Sequence, residues 1–73
     1  MKTFVSFLHT SSAAIGPLMQ YYGEAAPDLE ITNQLEDGLL RLLSAGRGEV
    51  VQQRLEQMLA TARDVYGARA AMV

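Results

Sequence analysis

Seventy-three residues, a net charge of −2 and the absence of cysteine limit what this sequence can encode. This length allows one small domain, which buries about 60–65% of its unfolded surface, and a chain without cysteine has neither disulfides nor thiolate metal sites. The five arginines are scattered among acidic residues, which argues against nucleic-acid binding because that function usually leaves a basic patch.

The chain opens with a strand predicted over Thr3–Leu8. Its residues are apolar almost throughout, with the small Ser6 as the main exception. A strand of this kind is expected where helices cover both faces of a parallel sheet. The polar segment His9–Ser12 follows as a loop, and in α/β folds the loop after a strand is the usual place for ligand binding.

The first helix is predicted to begin at Ala13 or Ala14, because Pro17 is tolerated only within the first turn of a helix. Ser11 or Ser12 is expected to cap it, since a serine oxygen accepts a hydrogen bond from a free amide at a helix start. The predicted apolar stripe of this helix consists of Ile15, Leu18, Met19 and Tyr22.

The chain leaves this helix around Tyr22–Ala26 and enters a second strand, Leu29–Asn33. Apolar and polar residues alternate in it, which is typical of a strand with one exposed face, as at a sheet edge. Asp37 is then predicted to be the N-cap of a short helix, Leu39–Leu43. Its four leucines exceed what one stripe of so short a helix can bury, so we expect part of this surface to contact another subunit or further chain.

A long helix is predicted over Glu49–Tyr66, ended by Gly67, with a third strand in residues 68–73. These elements predict an α/β fold, a three-layer sandwich with a parallel sheet in the order 2-1-3, helices on both faces and right-handed crossovers. We expect residues 1–73 to form a single α/β unit, an incomplete amino-terminal lobe of a larger domain. The predicted apolar stripe of the long helix consists of Val51, Leu55, Met58, Leu59, Ala62, Val65 and Tyr66. Further core positions are expected for Phe4, Phe7, Tyr21, Tyr22 and Met72.

The polar segment after the first strand carries the candidate ligand-binding residues His9, Thr10, Ser11 and Ser12. Hydroxyls and free amides at a helix N-terminus suit a carboxylate or a phosphate; alternatively, the serines cap the helix and His9 makes a structural hydrogen bond. The sequence has no glycine-rich phosphate motif and no Walker lysine, which argues against nucleotide binding. A single histidine without cysteine argues against a metal site, and Asp37 is more simply a cap than a ligand-binding group.

The sequence also bears on location and assembly. No apolar run approaches the roughly 18 residues of a membrane span, and the run Thr3–Leu8 is too short for the apolar core of a signal peptide. We therefore expect a cytoplasmic protein with no membrane and no nucleic-acid partner. Small chains without disulfides or metals often depend on oligomerisation, so a homo-oligomer is expected.

Four short motifs in this order resemble the amino-terminal part of the aspartate/glutamate/hydantoin racemase superfamily. They are the loop His9-Thr10, the segment Ala13–Pro17 at the helix start, the strand and loop Asn33–Leu40, and the last segment Gly67–Val73. The resemblance spans essentially the whole chain.

This resemblance implies a fold and a chemistry. Members of the family have two similar α/β lobes with the substrate between them. Two cysteines, one from each lobe, act as acid and base at a carbon next to a carboxylate, without pyridoxal phosphate, metal or any other cofactor. The first of those cysteines follows the third strand, which would place it just past Val73.

Carried over residue by residue, the resemblance implies a substrate site in the first loop. It puts His9, Thr10 and Ser11 on the substrate side and Asp37 near it as loop and cap, and we include the adjacent Ser12 among the candidate substrate-binding residues. The expected partner is a small carboxylate-containing substrate.

The sequence departs from the family in two respects. Amino-acid racemases of this family usually carry an Asp-Ser-Gly type turn after the first strand, where this chain has His9-Thr10-Ser11, so hydantoins, arylmalonates and maleate-like diacids stay open as substrates. Without cysteine the chain lacks the family's proton-transfer pair. We expect the amino-terminal part of a cofactor-independent racemase-like isomerase, catalytically incomplete as written. The alternatives are a small α/β interaction module that assembles through Leu39–Leu43, and a small-ligand-binding module without catalysis.

Overall fold

The structure, a computed structural model, describes residues 2–73. It is an α/β fold with a three-stranded, all-parallel sheet in the order β2-β1-β3. The predicted fold class and strand order are therefore confirmed. The elements in chain order are β1 Thr3–His9, a 3₁₀ turn Ser12–Ala14, α1 Ile15–Ala25, β2 Leu29–Leu35, α2 Leu39–Ser44, α3 Gly48–Asp64 and β3 Ala70–Met72.

The central strand β1 pairs with both of its neighbours. Its register with β2 runs from Thr3 opposite Leu29 to His9 opposite Leu35. Its shorter register with β3 begins at Val5, opposite Ala70. Because the strands are parallel, their carboxyl ends lie at one edge of the sheet, which is the edge where α/β proteins bind ligands.

Consecutive residues of β1 point to opposite faces of the sheet. The ring of Phe7 lies 5.5 Å from that of Tyr22 on α1, whereas Leu8 packs with Leu39 of α2 and Met58 of α3. The helices therefore cover both faces. The crossover from β1 to β2 and the crossover from β2 to β3 run in opposite directions along the sheet. Crossovers of one hand then place their helices on opposite faces.

A buried polar contact fixes α3 on its face of the sheet. Gln34 Nε2 donates to the main-chain oxygen of Met58 at 2.8 Å and approaches Ser6 Oγ at 3.4 Å. Ser6 is fully buried between strand and helix. The presence of the small, polar Ser6 in the apolar run of β1 is therefore explained by its contact with Gln34 rather than by packing alone.

The core is small and centred on the carboxyl half of β1. Residues from Ser6 to His9 are buried, whereas Phe4 is 45% exposed. Two-sided burial of the whole first strand is therefore wrong for its amino-terminal half, where no helix covers the sheet closely. Phe7 and Met58 are buried as predicted, and Tyr22 is half-buried. The predicted core and stripe positions that are instead exposed are Phe4, Tyr21, Leu59, Val65, Tyr66 and Met72.

The start of α1 differs from the prediction by one to two residues. The segment Ser12–Ala14 forms a 3₁₀ turn, and the regular helix begins at Ile15. The proline ring would clash with a helical carbonyl four residues earlier, so Pro17 keeps Ala13 out of the regular helix. Ser11 is the capping residue, since its Oγ accepts a hydrogen bond from the amide of Ala13 at 3.3 Å.

The predicted N-cap of α2 is wrong. Gly38, not Asp37, is the cap residue, and no side chain caps this helix start. The amide of Leu39 donates instead to the main-chain oxygen of Glu36 at 3.4 Å. Because this turn is closed by the main chain, the carboxylate of Asp37 is left exposed on the surface.

The end of α3 lies two residues before the predicted one. The helix stops at Asp64, and Gly67 reverses the chain with a φ of +64°, as expected for the glycine after a helix. The amide of Ala68 donates to Ala62 at 2.8 Å and closes this end. Val65 and Tyr66 lie beyond the regular helix, so the predicted stripe does not extend to them. Among residues 2–73, no helix combines the length and the apolar character needed to cross a membrane.

Candidate functional site

A cleft of about 350 Å³ opens at the carboxyl end of β1. Its walls come from the end of β1, the loop and 3₁₀ turn that follow, one side of α1 and the end of β3. The lining residues are Phe7, Leu8, His9, Thr10, Ser11, Ala13, Ala14, Leu18, Tyr22, Met72 and Val73. Three of the five predicted site residues, His9, Thr10 and Ser11, therefore lie together on this cleft, while Ser12 and Asp37 are not on its wall.

His9 is the most constrained polar residue of the cleft. It is the last residue of β1 and is 8% exposed. Its Nε2 lies 2.8 Å from Oδ1 of Asn33 on the neighbouring strand, and its ring is 6.2 Å from that of Phe7. The imidazole is therefore held in one orientation at the inner end of the cleft.

Asn33 was not predicted as a site residue. It lies on the face of β2 that also carries Leu29, Ile31 and Leu35, so it is a polar residue in an apolar series. Its Nδ2 approaches Met19 Sδ on α1 at 3.2 Å. The sequence feature that could have identified Asn33 is its polar side chain on the otherwise apolar face of a strand, because such a group needs a buried partner.

The two residues after His9 differ in how far their side chains are engaged. Thr10 is half-buried on the cleft wall. Ser11 is exposed, and its Oγ accepts the hydrogen bond from Ala13. The alternative to ligand binding was that a serine caps the helix and His9 makes a structural hydrogen bond. Ser11 and His9 make these two contacts, and both side chains also line the cleft.

The carboxylates that follow β2 do not face the cleft. Glu36 forms a two-point ion pair with Arg54 of α3, at 2.9 Å from Nε and 3.3 Å from Nη2. Arg54 Nη1 also donates to Gln57 at 3.0 Å. This contact ties the loop after β2 to α3 and was not predicted. Asp37 is exposed beside it.

The chemistry of the cleft is that of a binding site. Most of its lining is apolar or aromatic, including Phe7, Leu18 and Tyr22, and His9 and Thr10 contribute polar groups. Among residues 2–73, no Asp, Glu, Lys or Arg side chain lies on its wall. Within residues 2–73 no group of three or more metal-ligating side chains comes together. The arrangement suits a small molecule with an apolar body and one anionic group.

Comparisons of this chain with protein-family models, with curated proteins and with solved structures found no match. A function is therefore inferred from the cleft and from the sequence motifs.

Proposed function

We propose that this chain forms the carboxylate-binding part of a substrate site in a cofactor-independent isomerase of the aspartate/glutamate/hydantoin racemase type. The proposed reaction is proton transfer at a carbon next to a carboxylate. The 73 residues contain no cysteine, so we expect them to bind substrate without turning it over.

One observation carries this proposal: His9 and Thr10 lie together on a cleft at the carboxyl end of the central strand. Ligands of open α/β sheets bind at this edge. A buried histidine here has one ring nitrogen engaged by Asn33. The Thr10 hydroxyl and, when it carries a proton, the other ring nitrogen can donate hydrogen bonds to the two oxygens of a carboxylate.

The apolar wall restricts the substrate class. Phe7, Leu18 and Tyr22 line the cleft together with His9 and Thr10, and an aromatic wall gains most from a substrate with an apolar or ring-shaped body. Among residues 2–73, no carboxylate side chain lies on this wall to pair with the ammonium group of an amino acid. These features favour an arylmalonate or a hydantoin-derived acid over aspartate or glutamate.

The test is a titration of the chain with phenylmalonate, followed by backbone amide NMR. We expect shifts confined to the cleft lining, at the end of β1, in residues 9–14, on the facing side of α1 and at the end of β3. We expect a weaker response to the neutral phenylmalonamide. Thr10→Ala should weaken binding about fivefold, since one hydrogen bond contributes about 1 kcal/mol. Thr61→Ala is the matched control, because the Thr61 hydroxyl donates within α3 to Gln57.

Two results would contradict the proposal. One is an equal response to phenylmalonate and to its amide, which would mean that the carboxylate is not recognised. The other is an equal loss of affinity in Thr10→Ala and Thr61→Ala, which would mean that the cleft is not the binding site.

A second candidate, self-association through α2, is favoured by a separate observation. Leu39 is buried, but Leu40 and Leu43 are exposed on the surface of this short helix. Within the described residues no ion pair involves the neighbouring Arg41 or Arg47. We propose that these side chains contact a second copy of the chain, as the expected homo-oligomer requires. We propose the cytoplasm as its location.

A further inference from the structure

We propose that Asn33 is a positioning residue that holds His9 in the Nε2–H tautomer and leaves the lone pair of Nδ1 to the cleft. The tautomer is a property of the free chain. Its consequence for ligand binding rests on the proposed carboxylate-binding function.

The orientation of the Asn33 amide decides which of its ends meets the histidine. Nδ2 donates to Met19 Sδ at 3.2 Å, and Oδ1 then lies 2.8 Å from His9 Nε2. In the reverse orientation Oδ1 would face the thioether sulfur, which has no hydrogen to donate, and that hydrogen bond would be lost. Because Oδ1 is only an acceptor, His9 Nε2 carries the proton.

Burial makes the opposite tautomer of His9 unfavourable. His9 is 8% exposed, and at such a site an unpaired polar group is costly. The opposite tautomer would set the lone pair of Nε2 against the lone pairs of Asn33 Oδ1 and leave both without a hydrogen. The contact between β1 and β2 therefore selects one neutral form of the imidazole.

The second ring nitrogen of His9 is directed to the cleft by exclusion. Among residues 2–73 no protein group forms a hydrogen bond with Nδ1, and no buried side-chain nitrogen or oxygen there lacks a partner. Nδ1 is thus accessible to solvent, and His9 meets solvent at the cleft that it lines.

This arrangement couples carboxylate binding to a proton. The lone pair of neutral Nδ1 repels a carboxylate, whereas a protonated Nδ1 donates a hydrogen bond to it and carries a positive charge. A carboxylate that binds beside His9 therefore needs a proton on Nδ1. Its affinity is expected to fall as the pH rises.

The other titratable groups near His9 do not account for the coupling between carboxylate binding and a proton. Tyr22 on α1 is the other titratable side chain of the cleft wall. Glu36, which follows β2, is engaged by Arg54, and β3 carries no titratable side chain. Val73 also lines the cleft. The tests below therefore use a chain with an amidated carboxyl terminus, which removes the main-chain charge of Val73.

The first test reads the tautomer directly, by NMR of the histidine ring nitrogens in the free amidated chain at about pH 8. We expect the Nε2–H pattern in the wild type and in Asn33→Asp, which keeps an acceptor oxygen. Asn33→Leu should give a mixture of tautomers. Met19→Leu preserves volume but frees the Asn33 amide to turn over, so it should shift the population toward Nδ1–H. It replaces Asn33→Leu in the test if that variant fails to fold.

Two outcomes would overturn the assignment: an Nδ1–H pattern in the wild type, or an unchanged Nε2–H pattern in folded Asn33→Leu and Met19→Leu. A merely structural role of Asn33 would lower stability without moving this pattern. The measurement is specific because the chain has a single histidine.

The second test is a titration with acetate at about pH 5 and about pH 8. We expect a lower affinity at the higher pH, and a smaller loss in Asn33→Asp, whose carboxylate favours the charged imidazolium. An acetate affinity independent of pH would overturn the coupling to a proton. Absence of acetate binding at both pH values would overturn the proposed function, while the tautomer of the free chain would still decide the role of Asn33.

Discussion

Two adjacent leucines of α2 occupy opposite environments. Leu39 is 2% exposed and packs with Leu8 and Met58, whereas Leu40 is 53% exposed. Leu39→Ala removes buried contacts and leaves a cavity, so we expect it to lower the free energy of unfolding by about 2–5 kcal/mol. Leu40→Ala should change it by less than about 0.5 kcal/mol. Urea denaturation followed by circular dichroism measures both, and equal midpoints for the two variants would contradict the assigned core.

An exposed ion pair at the end of α3 gives a prediction about pH. Arg63 donates to the Asp64 carboxylate at 2.7 and 3.1 Å, and this hydrogen bond lowers the pKa of Asp64 while raising the pKa of Arg63. A lowered pKa in the folded state stabilises the fold above the unfolded pKa, and that contribution is lost as the pH falls through the folded pKa. Because both side chains are exposed, its effect on stability is small.

We therefore expect Arg63→Gln to raise the pKa of Asp64 toward its usual value, with little change in unfolding midpoint. Carboxyl-carbon NMR titration measures this pKa. Arg69→Gln is the control, since Asp64 has its ion pair with Arg63. A pKa of Asp64 that responds equally to both substitutions would show that general charge, rather than this hydrogen bond, is responsible.

The residues of the cleft were predictable only where they are close in sequence. His9, Thr10 and Ser11 come directly after the predicted first strand, and the rule that α/β ligands bind at strand ends identifies them. The structure adds His9 to the strand as its last residue. Asn33 was missed because its role depends on strand register, which brings it beside His9, and on a side chain of α1. The Glu36–Arg54 pair joins residues 18 positions apart, and nothing in local spacing indicates it.

The junction between α2 and α3 depends on one glycine. At the end of α2 the amides of Gly46 and Arg47 donate to Leu43 and Leu42, at 3.1 and 2.8 Å, which is the hydrogen-bond pattern of a Schellman motif. Gly46 has a φ of +77°, in the left-handed region that favours glycine. The turn that lets α3 pack on α2 is therefore built into the main chain.

We expect Gly46→Ala to lower the free energy of unfolding by about 1–2 kcal/mol. Gly48→Ala is a matched control, because Gly48 starts α3 without a positive φ. A methyl group at either position meets no atom within 4 Å, so any difference between the variants is conformational. Thermal unfolding measures both, and equal destabilisation would show that the left-handed conformation is not the cause.

The elements themselves were largely predictable, and their ends were not. The first two strands and the long helix follow from apolar runs and periodicity, but both strands extend past their predicted ends, to His9 and to Leu35. Asp37 has the chemistry of a cap but lost that position to a main-chain hydrogen bond. Val65 and Tyr66 fit the helical stripe but lie past the turn that Gly67 allows. In each of these places geometry at the junction overrode the preference of a single residue.

At the scale of the whole molecule, the strand order was predictable from the contrast between two strands. β1 is apolar on both faces and is central, while β2 alternates and is an edge strand. Exposure of large apolar side chains was less predictable, because it depends on what covers each surface. Phe4 and Met72 have strand-like sequence surroundings and remain uncovered in this chain.

The exposed leucines of α2 give a prediction about assembly. Leu40 and Leu43 are flanked by Arg41 and Arg47, and the acidic Glu49 lies in the first turn of α3. Two copies related by a twofold axis would bring leucines together at the axis and set arginines against the partner's acidic group, an isologous arrangement. We expect a weak dimer, since two leucines bury less than a standard interface.

Sedimentation velocity over a range of concentrations tests this assembly. The wild type should shift from the 8.0 kDa monomer toward twice that mass, and added salt should weaken the shift because part of the attraction is electrostatic. The double variant Leu40→Ser/Leu43→Ser should stay monomeric. Val65→Ser is the control, since Val65 is exposed and apolar but lies at the far end of α3. A monomer at every concentration, or equal loss of the dimer in Val65→Ser, would show that α2 is not the surface through which copies associate.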